Sequence, residues 1–258
     1  MQLEMRRRWP ASLTMIGSAI ILSIFSFSPA LAGTIERHCV KMGSAYGAAA
    51  FACTLQFRGE IVQGDAALVE AAIRSSPSHV EVASFDSPGG SPFEALKISD
   101  ILNANFVAFA TGSCRPTIGC DVGSPGKLCA SACTLIYLAA NERFGTEVYV
   151  HRPTFPAEMF SGLSGPEAQA AYETTVDRLT GALRAHHVPE EQIQLMMSVP
   201  SGSLSKMPLN YPSESPWMDE WLTAKCGQTY SANGVNAKDL ICKTDAILAE
   251  QRRVQGKN

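Results

Sequence analysis

Residues Cys129 to His151 read CASACTLIYLAANERFGTEVYVH. Ser131 stands just before an apolar run, TLIYLAA, that suits a helix packed inward through Leu135, Ile136 and Leu138, and His151 closes a short strand-like segment, EVYVH. A serine hydroxyl is a poor nucleophile until a base takes its proton, and imidazole is the usual base because its pKa lies near neutrality. The pair raises acyl transfer as the chemistry to test. Taken singly, each residue has a plainer reading. Serine is among the commonest helix N-cap residues, and a histidine at a strand end before Arg152 and Pro153 ordinarily bonds to backbone.

The chain has 258 residues. It opens with Arg6, Arg7 and Arg8, an apolar run from Met15 to Phe27, and Ala30-Leu31-Ala32, the three parts of a secretory signal peptide cleaved after Ala32. A retained membrane anchor is the rival reading, but the run is shorter than the roughly 20 apolar residues a spanning helix needs. Cleavage leaves a chain from Gly33 with 18 basic and 23 acidic side chains. That balance, with no basic run or basic-aromatic interleaving, gives no footprint for nucleic acid. All eight cysteines (Cys39, Cys53, Cys114, Cys120, Cys129, Cys133, Cys226 and Cys242) follow the leader, and an even number in an oxidising compartment favours disulfides. Cys39 with Cys53 and Cys226 with Cys242 form local pairs. The middle four have several pairings open to them; zinc is the lesser reading, because C-x5-C and C-x3-C do not make two tight knuckles. Cys129 and Cys133, four apart on the expected helix, have poorly aimed Cβ vectors, which favours a bond from each to Cys114 or Cys120. A reactive thiol at either is the less common case in an exported chain.

Around this centre, strand and helix alternate. CTLQFRGEIV (53–62) alternates apolar and polar residues as a half-buried strand does, and Asp65 caps an amphipathic helix, DAALVEAAIRSS. HVEVASF is the next strand and runs into Asp86-Ser87-Pro88-Gly89-Gly90, a tight turn whose backbone N–H groups are not covered by side chains. A helix from Ser91 or Pro92 to Leu102 follows, then FVAFAT, apolar enough to be buried on both faces. Such alternation predicts a largely parallel sheet with crossover helices. Cys114 to Lys127 reads as an irregular, disulfide-pinned insertion, and Arg143-Phe144-Gly145 as a turn. Ser164-Gly165-Pro166-Glu167 is a capping box opening a long helix to about His186, buried along Tyr172, Val176, Leu179 and Leu183. His186-His187 sits where a helix dipole favours cations, with metal binding the minority reading. EEQIQLMMS is a further short helix. PSGSLSKMPLNYPSESPW (200–217) has no period and reads as a loop or covering arm, before a tail with two weak helical patterns.

Three motifs then carry a resemblance. Asp86-Ser87-Pro88-Gly89-Gly90 resembles the N-S-P-G-G turn of the Clp protease proteolytic subunit and its periplasmic relatives in the ClpP/crotonase superfamily. Ala130-Ser131-Ala132 with Leu138-Ala139-Ala140 is similar to that family's nucleophile helix, and Arg143-Phe144 with Val148-Tyr149-Val150-His151-Arg152-Pro153 to its histidine strand. They occur in the family's order. The resemblance implies an α/β fold, a ClpP/crotonase-like spiral of ββα units over 53–198, preceded by an N-terminal segment with a disulfide (33–52) and followed by a disulfide-braced C-terminal arm (199–258). It implies Ser131 as nucleophile, His151 as general base, Gly90 and Ala132 as oxyanion-hole donors, and Gly89-Gly90 as the edge that binds an extended peptide.

The family's acidic third member falls, in this chain, near Met196 or Met197, where no carboxylate stands. Asp177 is the nearest acid in that direction, on the solvent side of its helix, and Asp86 is another group that could orient the imidazole; a Ser/His dyad is the alternative. The implied function is an exported serine peptidase acting on extended peptides or unfolded proteins in the periplasm or beyond. It uses no cofactor, no metal and no ATP-dependent unfoldase, since the chain has no P-loop. The rings of the family imply a homo-oligomer where the insertion and arm leave those faces open. A catalytically inactive peptide-binding module is the second reading, and acyl-CoA chemistry a third that export disfavours.

Overall fold

The computed structural model describes residues 33–41, 51–115, 119–121, 127–208, 216–227, 242–243, 245–247, 249–250 and 253; the expected signal peptide lies outside them. Its architecture is mixed α/β. The main sheet has five strands in the order β1 (Thr34–Lys41), β2 (Phe51–Arg58), β3 (Val80–Asp86), β4 (Ala108–Thr111) and a two-residue strand, Arg143–Phe144, which we number β8. The first pair is antiparallel and every later pair is parallel. Helix α1 (Asp65–Arg74) connects β2 to β3, and α2 (Pro92–Ala104) connects β3 to β4. Parallel neighbours need such crossovers, which is why the sequence alternates as it does.

The insertion after β4 is a hairpin, β5 (Ser113–Arg115) with β6 (Gly119–Asp121). Next come β7 (Cys129–Ala130) and α3 (Ala132–Ala139), then β8, β9 (Val148–Val150), and a single 3-10 turn at Ala157–Phe160. The long helix α4 (Gly165–Ala185), α5 (Glu190–Ser198), β10 (Ser205–Lys206) and α6 (Pro216–Cys226) complete the order. A second sheet has the order β10-β9-β7, so the Pro/Ser-rich segment supplies a strand to it.

The core follows from this layering. Phe57, Phe85 and Phe109, on three adjacent strands, stack with ring centroids 5.2 and 5.0 Å apart, and Tyr137 of α3 meets Phe109 edge-on at 5.8 Å. All four β4 residues are buried, as a strand covered on both faces requires. Every residue of α3 is buried too, so this helix runs through the middle of the domain. Its last carbonyls are satisfied by side chains: the buried Arg143 donates from Nη1 to Leu138 O at 2.9 Å, and Asn103 Nδ2 donates to Ala139 O at 2.8 Å. Arg143-Phe144, read from sequence as a turn, pairs with β4, which sets the arginine under the helix end. The arm returns to the sheet side: Trp221 of α6 packs on Phe106 at 5.5 Å, and Lys243 pairs with Glu142 at 2.8 Å.

Four disulfides are present. Cys39–Cys53 links directly opposed positions of β1 and β2, and Cys226–Cys242 holds the arm, both as expected. The middle four differ from expectation: they pair as Cys114–Cys120, across the hairpin, and Cys129–Cys133. Those last two are not on one helix. Cys129 belongs to β7, and the chain turns sharply at Ser131 before α3, bringing the Cα atoms to 5.2 Å. With all eight cysteines oxidised, no thiolate set remains for zinc. Disulfides on this scale suit an oxidising, exported environment. Among the described residues no helix is long and apolar enough to cross a membrane.

Asp65 does not cap α1. The N-cap is Gly64, at φ 104°, and the Asp65 carboxylate instead accepts the Val62 N–H at 2.8 Å. The free N–H groups of Gly64 and Ala66 go to buried Glu94 on α2, at 2.8 and 3.0 Å. Burial pushes the Glu94 carboxyl up, but the bonds from Ala66, Lys97 and Gly64 outweigh it and hold it below its ordinary value. Burial, added to by the Glu94 charge, pushes Asp65 above its ordinary value. The signs oppose. Glu94 contributes stability that is present above its unfolded pKa and lost as pH falls through the lower folded one. Asp65 contributes stability that is present below its unfolded pKa and lost as pH rises through its higher folded one. Glu94→Gln is expected to cost about 1–3 kcal/mol at pH 7, and to lose less stability than the parent on acidification below about pH 4.5, the ordinary glutamate value. Urea unfolding at pH 7 and pH 4 measures both.

Candidate active site

The two sheets meet at the turn after β3. Ser87 bridges Cys129 in parallel, with Ser87 N–H to Leu128 O at 2.6 Å and Ala130 N–H to Ser87 O at 3.0 Å. Asp86 braces the same joint, accepting Lys127 Nζ at 3.0 Å and the Leu128 N–H at 3.1 Å. Its carboxylate is therefore committed there and does not orient the histidine.

Beyond the joint, Pro88-Gly89-Gly90 lies directly on the Ser131 turn. Gly89 has φ 113°, and a Cβ built on it would stand 2.5 Å from Ser131 Cβ and 3.0 Å from the Ala132 nitrogen. Gly90 has φ 132°, and its Cβ would stand 2.2 Å from Ile61 O. Both positions need glycine for its positive φ and for the close approach. Ile61 fixes the turn from the other side, donating to Gly89 O and accepting from Ser91 N–H, each at 2.7 Å.

Ser131 is the N-cap of α3 by position, yet its side chain makes no capping bond and its backbone is at φ 55°, ψ −121°. A non-glycine residue there stores strain, of order 1–3 kcal/mol, and persists only where the surroundings over-determine it. They do so here. Ser131 N–H donates to Tyr149 O at 3.1 Å, Thr134 N–H to Ser131 O at 3.0 Å, and Thr134 Oγ1 to Tyr149 O at 2.7 Å. The capping role that a lone serine would ordinarily have is thus vacant, and Ser131 lines a cleft.

That cleft, about 740 Å³, has Ser131, His151 and Gly90 on its walls, with Ile61, Phe93 and Phe155 among its apolar members. A narrower recess adds Ala132, Leu135 and Met196 around the same serine and histidine. Among the described residues, the Gly90 N–H and the Ala132 N–H have no backbone acceptor. The latter stands in the first turn of α3, where the helix dipole favours negative charge. His151 Nδ1 lies 2.8 Å from Arg152 O. A carbonyl only accepts, so this contact assigns the ring proton of the neutral tautomer to Nδ1 and leaves Nε2 as the acceptor. Ser131 Oγ and the imidazole share the cleft without a hydrogen bond between them.

The position expected for a third, acidic member holds buried Met196, which lines the recess beside His151. Asp177 is exposed on α4, away from the cleft, where its charge acts on Arg184. His186, at the C-cap of α4, pairs with Asp100 at 3.0 Å. Three contributors escaped the sequence reading: Ile61 as the brace of the glycine turn, Thr134 as the anchor of the serine turn, and Phe155 as cleft wall. Ile61 acts through backbone bonds, which leave no residue-type signal, and Thr134 through a hydroxyl bond to Tyr149 O that nothing in the local sequence pattern marks. No protein-family model matches the chain, and no curated protein matches it either.

Gly89→Ala should lose stability by about 1–3 kcal/mol from its φ alone. The collision with Ser131 adds to this, so the same variant should also lose reactivity of the Ser131 hydroxyl. Thermal unfolding and covalent labelling, run together, measure the two effects.

Proposed function

We propose that this protein is a serine hydrolase of the acyl-transfer kind, working through a Ser131/His151 dyad. More specifically, we read it as an exported, ATP-independent peptidase of ClpP/crotonase-like spiral fold, acting on extended peptides or unfolded proteins and forming a homo-oligomer. The observation that carries this reading is the strained Ser131 turn, spared from capping and lining a cleft shared with a histidine of defined tautomer and two N–H groups without a backbone acceptor.

The steps follow from those groups. His151 Nε2 takes the hydroxyl proton as Ser131 Oγ attacks the peptide carbonyl. Negative charge developing on the carbonyl oxygen is received by the N–H groups of Gly90 and Ala132. The imidazolium returns its proton to the leaving amine, and the acyl group remains on Ser131. Water, deprotonated by the same imidazole, then releases the acid and restores the serine. The Arg152 carbonyl takes the place of a carboxylate in orienting the ring. Being neutral, it stabilises the imidazolium less than an anion does, so slow turnover is expected. The N–H and C=O of Ile61 are taken up by the glycine turn, so an extended substrate would run along the cleft beside that turn, with the Gly90 N–H as its backbone donor.

A second reading has its own observation. Met196 puts a buried apolar side chain where an acid would stand, which suits a module that binds peptides without cutting them. A fluorophosphonate separates the two. The oxidised protein should gain one adduct, lost in Ser131→Ala and formed about 10²–10⁴-fold more slowly in His151→Ala. A folded parent that stays unlabelled would overturn the hydrolase and leave the binding module.

A further inference from the structure

The Cys129–Cys133 disulfide encloses Ser131 at the centre of a five-residue loop, and both half-cystines are fully buried. One end is immobile, because Cys129 is paired on both sides: it bridges Ser87 in one direction and stands opposite Val148 in the other, with its N–H on Glu147 O at 3.0 Å. The other end is the first turn of the buried helix α3. Between them lie the strained Ser131 and Ala132, the residue whose N–H has no backbone acceptor. The bond therefore spans a place where the chain holds an unfavourable φ and turns from strand to helix. Global stability is not its distinctive contribution, since the sequence separation it closes is 4, against 14 and 16 for Cys39–Cys53 and Cys226–Cys242. Short loops restrain the unfolded chain least.

We propose that this disulfide is a positioning element for the reaction: it clamps the Ser131 turn so that Oγ points into the cleft and the Ala132 N–H stays aimed beside it. The proposal rests on Ser131 being the nucleophile. In the reduced chain the strain at Ser131 is opposed by hydrogen bonds and packing without the covalent closure, and the turn relaxes toward an ordinary helix start. There the hydroxyl would cap α3. The clamp closes when the two thiols give up two electrons and two protons to a disulfide-bearing oxidant, which leaves as a pair of thiols. Reactivity is acquired with oxidation, so a chain still in a reducing compartment is latent.

The test uses the full oxidised protein and a fluorophosphonate over a range of concentrations, giving a maximal inactivation rate and a half-saturation constant for each variant. Cys129→Ala/Cys133→Ala removes the clamp. Cys114→Ala/Cys120→Ala removes a bond of comparable span, separation 6, whose residues do not line the cleft. The clamp variant is expected to lose at least ten-fold in maximal rate with half-saturation within two-fold of the parent. The hairpin variant should keep the parent's rate whatever its melting temperature. Equal rates in parent and folded clamp variant would overturn the proposal, as would equal losses in the two variants. Should the double variant not fold, Cys133→Ala alone keeps Cys129 in its packed place and is judged by the same criteria. A parent that takes no label removes the nucleophile reading itself, before any variant is compared.

Discussion

The site depends on one short parallel junction, Ser87 against Cys129, that stitches the end of β3 to β7. Two backbone bonds and the Asp86 carboxylate hold it. Without that register the glycine turn, at the edge of one sheet, and the serine turn, at the edge of the other, would not meet. Strand ends of parallel sheets collect ligands because the chain there leaves N–H groups uncovered. Here two such ends are fused. The strain at Ser131 and the positive φ at Gly89 and Gly90 are the local costs of bringing them so close, offset by the buried helix that follows.

Much of this arrangement was legible in the residues. The alternation of apolar strands and amphipathic helices announced a parallel sheet, Pro88-Gly89-Gly90 announced a turn that only glycine could make, and the capping box at Ser164 placed the start of α4. What stayed hidden depends on direction rather than composition. β1 has no clean alternation, because its pairing with β2 is fixed by Cys39 opposite Cys53. Cys129 and Cys133 read as a helical i, i+4 pair until the positive φ at Ser131 is known, and no side chain signals that angle in advance. Ser205-Lys206 lies in a stretch without period and becomes a strand only because β9 offers an open edge.

In the proposed mechanism the histidine works without an acid partner. An acid beside an imidazole fixes the tautomer and also supplies a counter-charge; Arg152 O can do only the first. Met196 puts an apolar side chain in the remaining space. In the proposed mechanism, orientation of the ring is thus retained while the counter-charge is given up.

The backbone also restricts which element can occupy position 131. Threonine would bring a branched Cβ to φ 55°, a conformation that such residues essentially avoid, and would press its methyl toward Gly89. Cysteine would fit the angle, but it would place a third sulfur between two half-cystines, where thiolate attack reshuffles the bond through mixed disulfides. Of the side chains that can carry a small nucleophile, one is excluded by shape and another by sulfur exchange. For the nucleophile proposed here, the oxygen of serine is what the frame leaves, so the choice of residue at this position is set by the two flanking half-cystines as much as by the residue itself.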